Sequence, residues 1–362
     1  MKIAIVGFPT VGKTTLFNLL TEAGVSTSRF GTPGRAETHV GVSRVIDDRL
    51  TALSALFSPK KTTPATVDYV DLVGIRKDTA DTGGVAAEAR NADALMHVVR
   101  AFRDEDLPHP EGAIDPARDI DTMEMELILA DHAIAERRIE KLKASIAKTH
   151  RPEEKQELAL LTQLLAGLEE ETPIRSLSLG AEEQRLLRGF AFLSAKPILH
   201  VVNLGEDDVG HVADFETHFD LGRHRSRPHT ALLPLSARIE QEIAELPAAD
   251  AAIFQDDLGI PDPCRPRVIH ASYALLGLIS FFTVGADECR AWSVPEDTPA
   301  RSAAAVIHTD IERGFIRAEV VPCPALLEAG SLAAAREKGL LRLEGKDYPV
   351  ADGDVINFRF NV

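Results

Sequence analysis

Apolar and polar positions change their period along this chain, and each change marks a boundary. From Met1 to Gly7 the apolar residues Ile3, Ile5 and Val6 form a run of the length expected for a buried strand. Leu16, Phe17, Leu19 and Leu20 follow at helical spacing, with Gly24 placed to close the helix. Thr66–Leu72 and Ala94–Phe102 read as further buried strands. The chain up to about Ile120 therefore alternates strands with helices, the pattern of an α/β domain.

From Asp121 to Ser194 the chain is rich in Leu, Ala, Glu, Lys and Arg. Ala135, Ile139, Leu142 and Ile146 repeat at helical spacing, as do Leu158, Leu161, Leu165 and Leu168. Two helices joined at His150-Arg151-Pro152 predict an antiparallel coiled-coil hairpin. Strands resume at Ile198–Val202 and Ala231–Leu235, so the helical stretch reads as an insertion into the first domain. From about Leu278 short strands appear at Cys289–Val294, Phe315–Val321 and Val355–Phe360, with turns at Lys346-Asp347-Tyr348 and Asp352-Gly353-Asp354. They predict a compact α+β module. The expected domains are 1–120 with 195–277, the insertion 121–194, and 278–362.

The candidate chemistry lies where strands end. Gly7-Phe8-Pro9-Thr10-Val11-Gly12-Lys13-Thr14 reads G-x-x-x-x-G-K-[ST] between a strand and a helix, the arrangement of a phosphate-binding P-loop. Backbone N–H groups from Thr10 to Thr15, through Val11, Gly12, Lys13 and Thr14, would wrap a polyphosphate at the helix N-terminus. Lys13 would neutralise the β- and γ-phosphates, and the Thr14 hydroxyl would bind Mg²⁺. Asp71-Leu72-Val73-Gly74 reads D-x-x-G at the end of a later strand. There Asp71 would reach Mg²⁺ through water and the Gly74 N–H would touch the γ-phosphate. Ile75 follows, where Ras-like enzymes carry a water-orienting Gln, so hydrolysis needs another polar group. Asn203-Leu204-Gly205-Glu206 ends another strand in the place of a base-recognition loop. Guanine-specific loops read N-K-x-D. The longer Glu206 side chain would push into guanine's edge, so guanine selectivity should weaken. Ser236-Ala237-Arg238 fits the loop that closes over the base.

Two features have no single reading from the residues alone. His109 lies in the Pro- and acid-rich loop Asp104 to Pro116, and a lone loop histidine is ordinarily a solvated side chain. Arg137, Arg138, Lys141, Lys143, Lys148 and Arg151 cluster near the hairpin tip. They fit either a patch that meets RNA phosphates or a solvated helix face.

Composition narrows the class. The 362 residues are 44% hydrophobic, enough for two or three domains with sizeable cores. No apolar run has the ~18 residues of a membrane span, and the N-terminus lacks a signal-peptide pattern. Cys264, Cys289 and Cys323 are widely spaced and suggest reduced thiols in a cytoplasmic protein. A formal charge of −16 argues against binding bare nucleic acid through the global field, and against a specific DNA target. Any RNA contact would need a local basic patch.

The chain resembles the YchF group of P-loop NTPases, a branch of the Obg family. The C-terminal segments carry the resemblance: Arg290-Ala291-Trp292, Ile307-His308-Thr309-Asp310, Gly314 to Glu319, Glu344-Gly345-Lys346-Asp347-Tyr348 and Asp352 to Val355 look like that group's TGS-type signature. The likeness spans nearly the whole chain. It implies a P-loop domain with an inserted coiled-coil hairpin and a C-terminal TGS-type β-grasp domain. It implies ATP with Mg²⁺ as cofactors, because Asn203 and Glu206 match the group's N-x-x-E loop, with Ser236 beside the base. It implies a catalytic role for His109, nine residues after Arg100 at the end of His97-Val98-Val99-Arg100. It also implies association with the ribosome or ribosomal RNA through the coiled coil and the TGS domain. Two segments depart from the group. The first switch reads Gly31 to Thr38 without the usual Phe-Cys pair, leaving Thr38 or Thr32 as candidate Mg²⁺ ligand. The second, Arg76 to Arg90, is short and keeps only Gly83-Gly84 of the Gly- and Lys-rich run. A nucleotide-binding adaptor with little hydrolysis is the alternative these departures raise.

Overall fold

A computed structural model describes residues 1–21, 25, 38–72, 88–149, 151–260 and 262–361. Within them the chain forms two compact units, residues 1–42 with 68–271 and residues 43–67 with 272–362.

The first unit is built on a six-stranded sheet. In chain order its strands are β1 (Lys2–Val6), β2 (His39–Arg44), β4 (Thr66–Asp71), β5 (Ala94–Ala101), β6 (Ile198–Leu204) and β7 (Thr230–Leu235). Their spatial order is β2-β4-β1-β5-β6-β7. β1 lies parallel between β4 and β5, and β5, β6 and β7 continue in parallel. Every residue of β5 and β6 is buried, so these strands are covered on both faces rather than alternating between core and solvent. Parallel pairing sends all these C-terminal ends to one edge of the sheet, where ligands of open α/β folds bind. The register aligns them, with Ile5 opposite Asp71, Val6 opposite His97, Arg100 opposite Asn203 and Asn203 opposite Leu235.

Helix α1 (Lys13–Thr21) follows β1 and buries Leu16, Phe17 and Leu20. Its closure at Gly24 lies outside the described residues. After β5 a loop leads into α3 (Pro116–Thr149), and α4 (Pro152–Glu169) returns after a short connection. Ala135, Ile139 and Leu142 of α3 share one core with Leu160, Leu161, Leu164 and Leu168 of α4. α3 begins at Pro116, with Asp115 Oδ1 accepting from the Arg118 N–H at 3.0 Å, so the helix starts ahead of the 121 boundary read from periodicity.

The second unit holds a mixed sheet ordered β11-β10-β12-β8-β9-β3. Its strands are β3 (Lys61–Thr63), β8 (Leu278–Thr283), β9 (Glu288–Pro295), β10 (Phe315–Pro322), β11 (Arg342–Glu344) and β12 (Asp354–Phe360). Phe281, Val294, Ala303, Val320, Ile356 and Phe358 form its core. Residues 43–67, placed by sequence with the P-loop domain, group here instead. β3 pairs in parallel with β9, and Arg49 of helix α2 (Asp48–Phe57) binds Asp352 at 2.6 Å and lies 5.3 Å over the Phe282 ring.

An unusual set of ionisable groups lies under the first sheet. His97 on β5 and His200 on β6 are fully buried, with their Nδ1 atoms 3.0 Å apart. Glu124 of α3 sits 3.5 Å from His200 Nε2 and accepts from the buried Arg175. Burial lowers both histidines below the ordinary 6.5, and the neighbouring His200 ring depresses His97 further. As pH falls through the ordinary value, the unfolded chain takes up protons there and the folded chain does not. These histidines therefore withdraw stability as pH falls below that point. We expect the melting temperature to drop between pH about 7.5 and about 5.5, and the drop to shrink in His97→Gln. Equal pH slopes for both proteins would contradict this.

Candidate functional site

The C-terminal edge of the first sheet opens into a cleft of about 1220 Å³. Gly12, Lys13, Thr14 and Thr15 line it together with Asp71, and Asn203, Glu206 and Ser236 line its other end. The structure thus brings together residues from four separate strand ends that the motifs assign to one nucleotide.

Local backbone chemistry shapes the phosphate loop. Gly7 has φ 149° and Gly12 φ 98°, conformations that favour glycine. A Cβ on Gly7 would lie 2.6 Å from the Val98 carbonyl oxygen, and one on Gly12 would lie 2.5 Å from Asn203 Nδ2. Thr10 is exposed at the loop's crest, also at positive φ, and its hydroxyl donates to Pro9 O at 2.7 Å. Lys13 folds back under the loop, donating to Phe8 O at 2.7 Å and Gly7 O at 3.2 Å. Lys13 is the first residue of α1, so its ammonium is tied to the strand end of the loop at the helix N-terminus. Burial lowers its pKa to about 8, against the upward pull of Asp71.

Thr14 Oγ1 donates to Asp71 Oδ2 at 2.8 Å. The other carboxylate oxygen, Oδ1, is buried and has no hydrogen-bond partner among the described residues. Burial raises the Asp71 carboxyl above its ordinary range. An orphaned carboxylate oxygen beside a hydroxyl suits a hard divalent cation such as Mg²⁺, whose remaining ligands would be phosphate oxygens and water. Among the described residues no cluster of three or more His, Cys, Asp or Glu could hold a metal unaided.

At the base end, Asn203 Nδ2 donates to Val11 O and Asn203 Oδ1 accepts from the Ala237 N–H, both at 2.9 Å. Asn203 is therefore a tie between loops as well as a candidate base reader. Glu206 is half exposed and pairs with Arg238 Nε at 2.8 Å. The Ser236 hydroxyl is buried with no partner among the described residues. Ser236 precedes helix α5 (Ala237–Glu245). Sequence reasoning missed His39, Phe102, His218, Phe219 and Gln241, which also line the cleft. No motif marks them; only the fold brings them to this edge.

Other expected residues lie elsewhere. Thr38 is exposed just before β2, and its neighbour His39 reaches the cleft instead. Gly74, Ile75 and Thr32 fall outside the described residues. His109 does not line the cleft, although Leu107 and Ile114 of the same loop do. It is buried, with Nε2 2.9 Å from Asp119 Oδ2.

The strand-loop-helix cradle, the Thr14–Asp71 pair and the Asn203 tie define a P-loop nucleoside triphosphatase. Family models match accordingly: YchF-GTPase_C, "Protein of unknown function (DUF933)", over residues 278–361, and MMR_HSR1, "50S ribosome-binding GTPase", over residues 2–157. Over its full length the chain belongs to the YchF family. It is 41% identical over 362 residues to "Ribosome-binding ATPase YchF" of Bacillus subtilis (strain 168), covering 99% of this chain and 98% of that protein. It is 38% identical over 368 residues to the protein of the same name from Escherichia coli O157:H7, covering 100% and 99%. Its structure resembles that of the Schizosaccharomyces pombe YchF GTPase with a TM-score of 0.84 at 28% identity, covering 99% of this chain and 97% of that one.

The lowered pKa of Lys13 has a measurable consequence. Phosphate binding favours the charged ammonium, so above pH about 8 binding must take up a proton. The Kd for a nucleoside triphosphate with Mg²⁺ should be flat below that pH and weaken by up to ~tenfold per unit above it. Titration calorimetry in buffers of different ionisation enthalpy should show the proton uptake. A Kd independent of pH up to about 9 would contradict the placement of Lys13.

Proposed function

We propose that this protein is an ATP-hydrolysing P-loop NTPase of YchF type, cytoplasmic and associated with the ribosome. The observation that carries the ATP preference is the base end of the cleft. There the Glu206 carboxylate, fixed by Arg238, takes the place of the shorter Asp of guanine-specific loops. A carboxylate there accepts from the N6 amine of adenine, whereas guanine presents its O6 acceptor to the same region. The second N–H of Asn203 Nδ2 is available to the base, since Val11 takes one. Lys13 charges the β- and γ-phosphates, Thr14 and Asp71 hold Mg²⁺, and Thr38 is the candidate from the first switch. Mg²⁺ supplies charge neutralisation of the transferring phosphoryl group.

His109 is the group that orients or deprotonates the attacking water. Its loop borders the cleft through Leu107 and Ile114, which puts His109 on a segment adjoining the site. The relatives' printed names describe ribosome-binding ATPases, which weighs against a non-hydrolysing adaptor.

For the partner, the exposed Lys141, Lys143, Lys148 and Arg151 are the groups suited to RNA phosphates. Arg138 is already engaged by Glu157, at 2.7 and 2.8 Å. The helices α3 and α4 act as a coiled-coil arm and the second unit as a TGS-type β-grasp module, both serving as contacts for the ribosome. Among the described residues no helix is long and apolar enough to cross a membrane.

Single-turnover hydrolysis at saturating nucleotide and Mg²⁺ tests this reading. ATP should bind at least ~tenfold more tightly than GTP in competition. His109→Ala should lower the ATP rate ~10²-fold with little change in affinity, as for a group that acts in the transition state. Equal or tighter GTP binding, or a rate that survives the substitution, would overturn the corresponding part.

A further inference from the structure

The loop from Phe102 to Asp115 carries His109, and the first turn of α3 holds that loop at several points. Asp119 is the hub. Its Oδ2 lies 2.9 Å from His109 Nε2, and both side chains are 1% exposed. The two atoms are in close contact without hydrogen-bond alignment, and neither has a hydrogen-bond partner among the described residues. The other ring nitrogen, Nδ1, accepts from the Glu111 N–H at 3.1 Å. An Nδ1 that accepts puts the proton of a neutral ring on Nε2, so the imidazole keeps no free lone pair for a water proton.

Arg118 fastens the same arrangement. Its Nε and Nη2 donate to Asp119 Oδ1 at 3.1 and 2.8 Å, Nη2 also donates to Ala113 O at 2.7 Å, and Nη1 reaches Glu111 O at 3.5 Å. At the loop's start Arg100, itself buried, donates to Phe102 O at 3.1 Å and Asp104 O at 3.4 Å. The loop is thus tied at both ends and at its histidine.

We propose that Asp119 is a positioning residue that acts through His109. Its carboxylate, packed against Nε2, keeps the ring out of the cleft, so that the basal rate is low until the first turn of α3 releases it. This rests on the reading of His109 as the water-directing group. α3 runs unbroken from Asp119 to the basic residues near Lys148, about 45 Å at helical rise. A partner that displaces the arm can therefore act on the latch through a single rigid element.

The test uses the full-length protein without ribosomes. Single-turnover ATP hydrolysis is measured for wild type, His109→Ala, Asp119→Ala, Arg118→Gln and the double variant Asp119→Ala/His109→Ala. Circular dichroism melts check folding; Asp115, not Asp119, caps α3, so the helix start is retained. Asp119→Ala should raise the rate by roughly fivefold or more at unchanged ATP affinity, as for a shifted population. Arg118→Gln should shift it the same way, and the double variant should lose the gain. Carbethoxylation of His109 by diethylpyrocarbonate, followed by mass spectrometry, should speed up in Asp119→Ala whatever the catalytic outcome. A rate that is unchanged or lower in Asp119→Ala, with His109 no more reactive, overturns the latch while leaving His109 its role. Faster modification together with a rate indifferent to His109→Ala in both backgrounds overturns the catalytic reading and retains the holding contact. If Asp119→Ala does not fold, the rate and the modification speed of Arg118→Gln decide both points in the same way.

Discussion

The site depends on one buried amide. Asn203 ends β6 at the sheet edge, and its two polar atoms face opposite ways, one to the Val11 carbonyl of the phosphate loop and one to the Ala237 N–H at the start of α5. Each partner group is main chain and buried, so losing the amide would strand donors and acceptors at a cost of about 1–3 kcal/mol each. Gly12 is obliged by the same contact, since any side chain there would collide with the amide. One side chain therefore fixes the distance between the phosphate end and the base end of the cleft. The rest of the nucleotide chemistry is arranged around that distance.

Charge in the cleft is poised rather than satisfied. Lys13 is held by two carbonyls and lowered in pKa, Asp71 keeps one oxygen without a partner among the described residues, and burial raises its carboxyl. Both groups are unfavourable as they stand, and on the proposed reading each would be relieved by a polyphosphate carrying Mg²⁺. A second buried set, His97, His200, Glu124 and Arg175, lies between the sheet and the root of the helical arm. It makes the seating of α3 on the sheet sensitive to protonation, a property that apolar contacts do not confer.

Much of this was legible in the chain. The phosphate loop shows in the spacing of Gly7, Gly12, Lys13 and Thr14 because the chemistry needs consecutive backbone N–H groups. Strands β5 and β6 show as largely apolar runs because both faces are covered. The membership of residues 43–67 was not legible. α2 is an ordinary amphipathic helix and β3 is the polar tripeptide Lys61-Thr62-Thr63, whose partner Glu288-Cys289-Arg290 lies far along the chain. Nothing local says which sheet such a strand will join. The posture of His109 was not legible either. Its position in sequence marks the residue, but its burial is decided by Asp119 and Arg118 on the helix that follows. Thr38 was a candidate, with Thr32, only as a stand-in for the Thr of the family's first switch, and the residue that reaches the cleft is its neighbour His39.

The dependence on Asn203 can be measured directly by titrating ATP with Mg²⁺ into wild type and Asn203→Ala, with melting curves to confirm that both are folded. Loss of the tie should weaken ATP binding at least ~tenfold, equivalent to about 1.4 kcal/mol, and should weaken ADP binding in parallel because both ends of the cleft are affected. A folded Asn203→Ala protein that binds ATP as tightly as wild type would contradict that dependence.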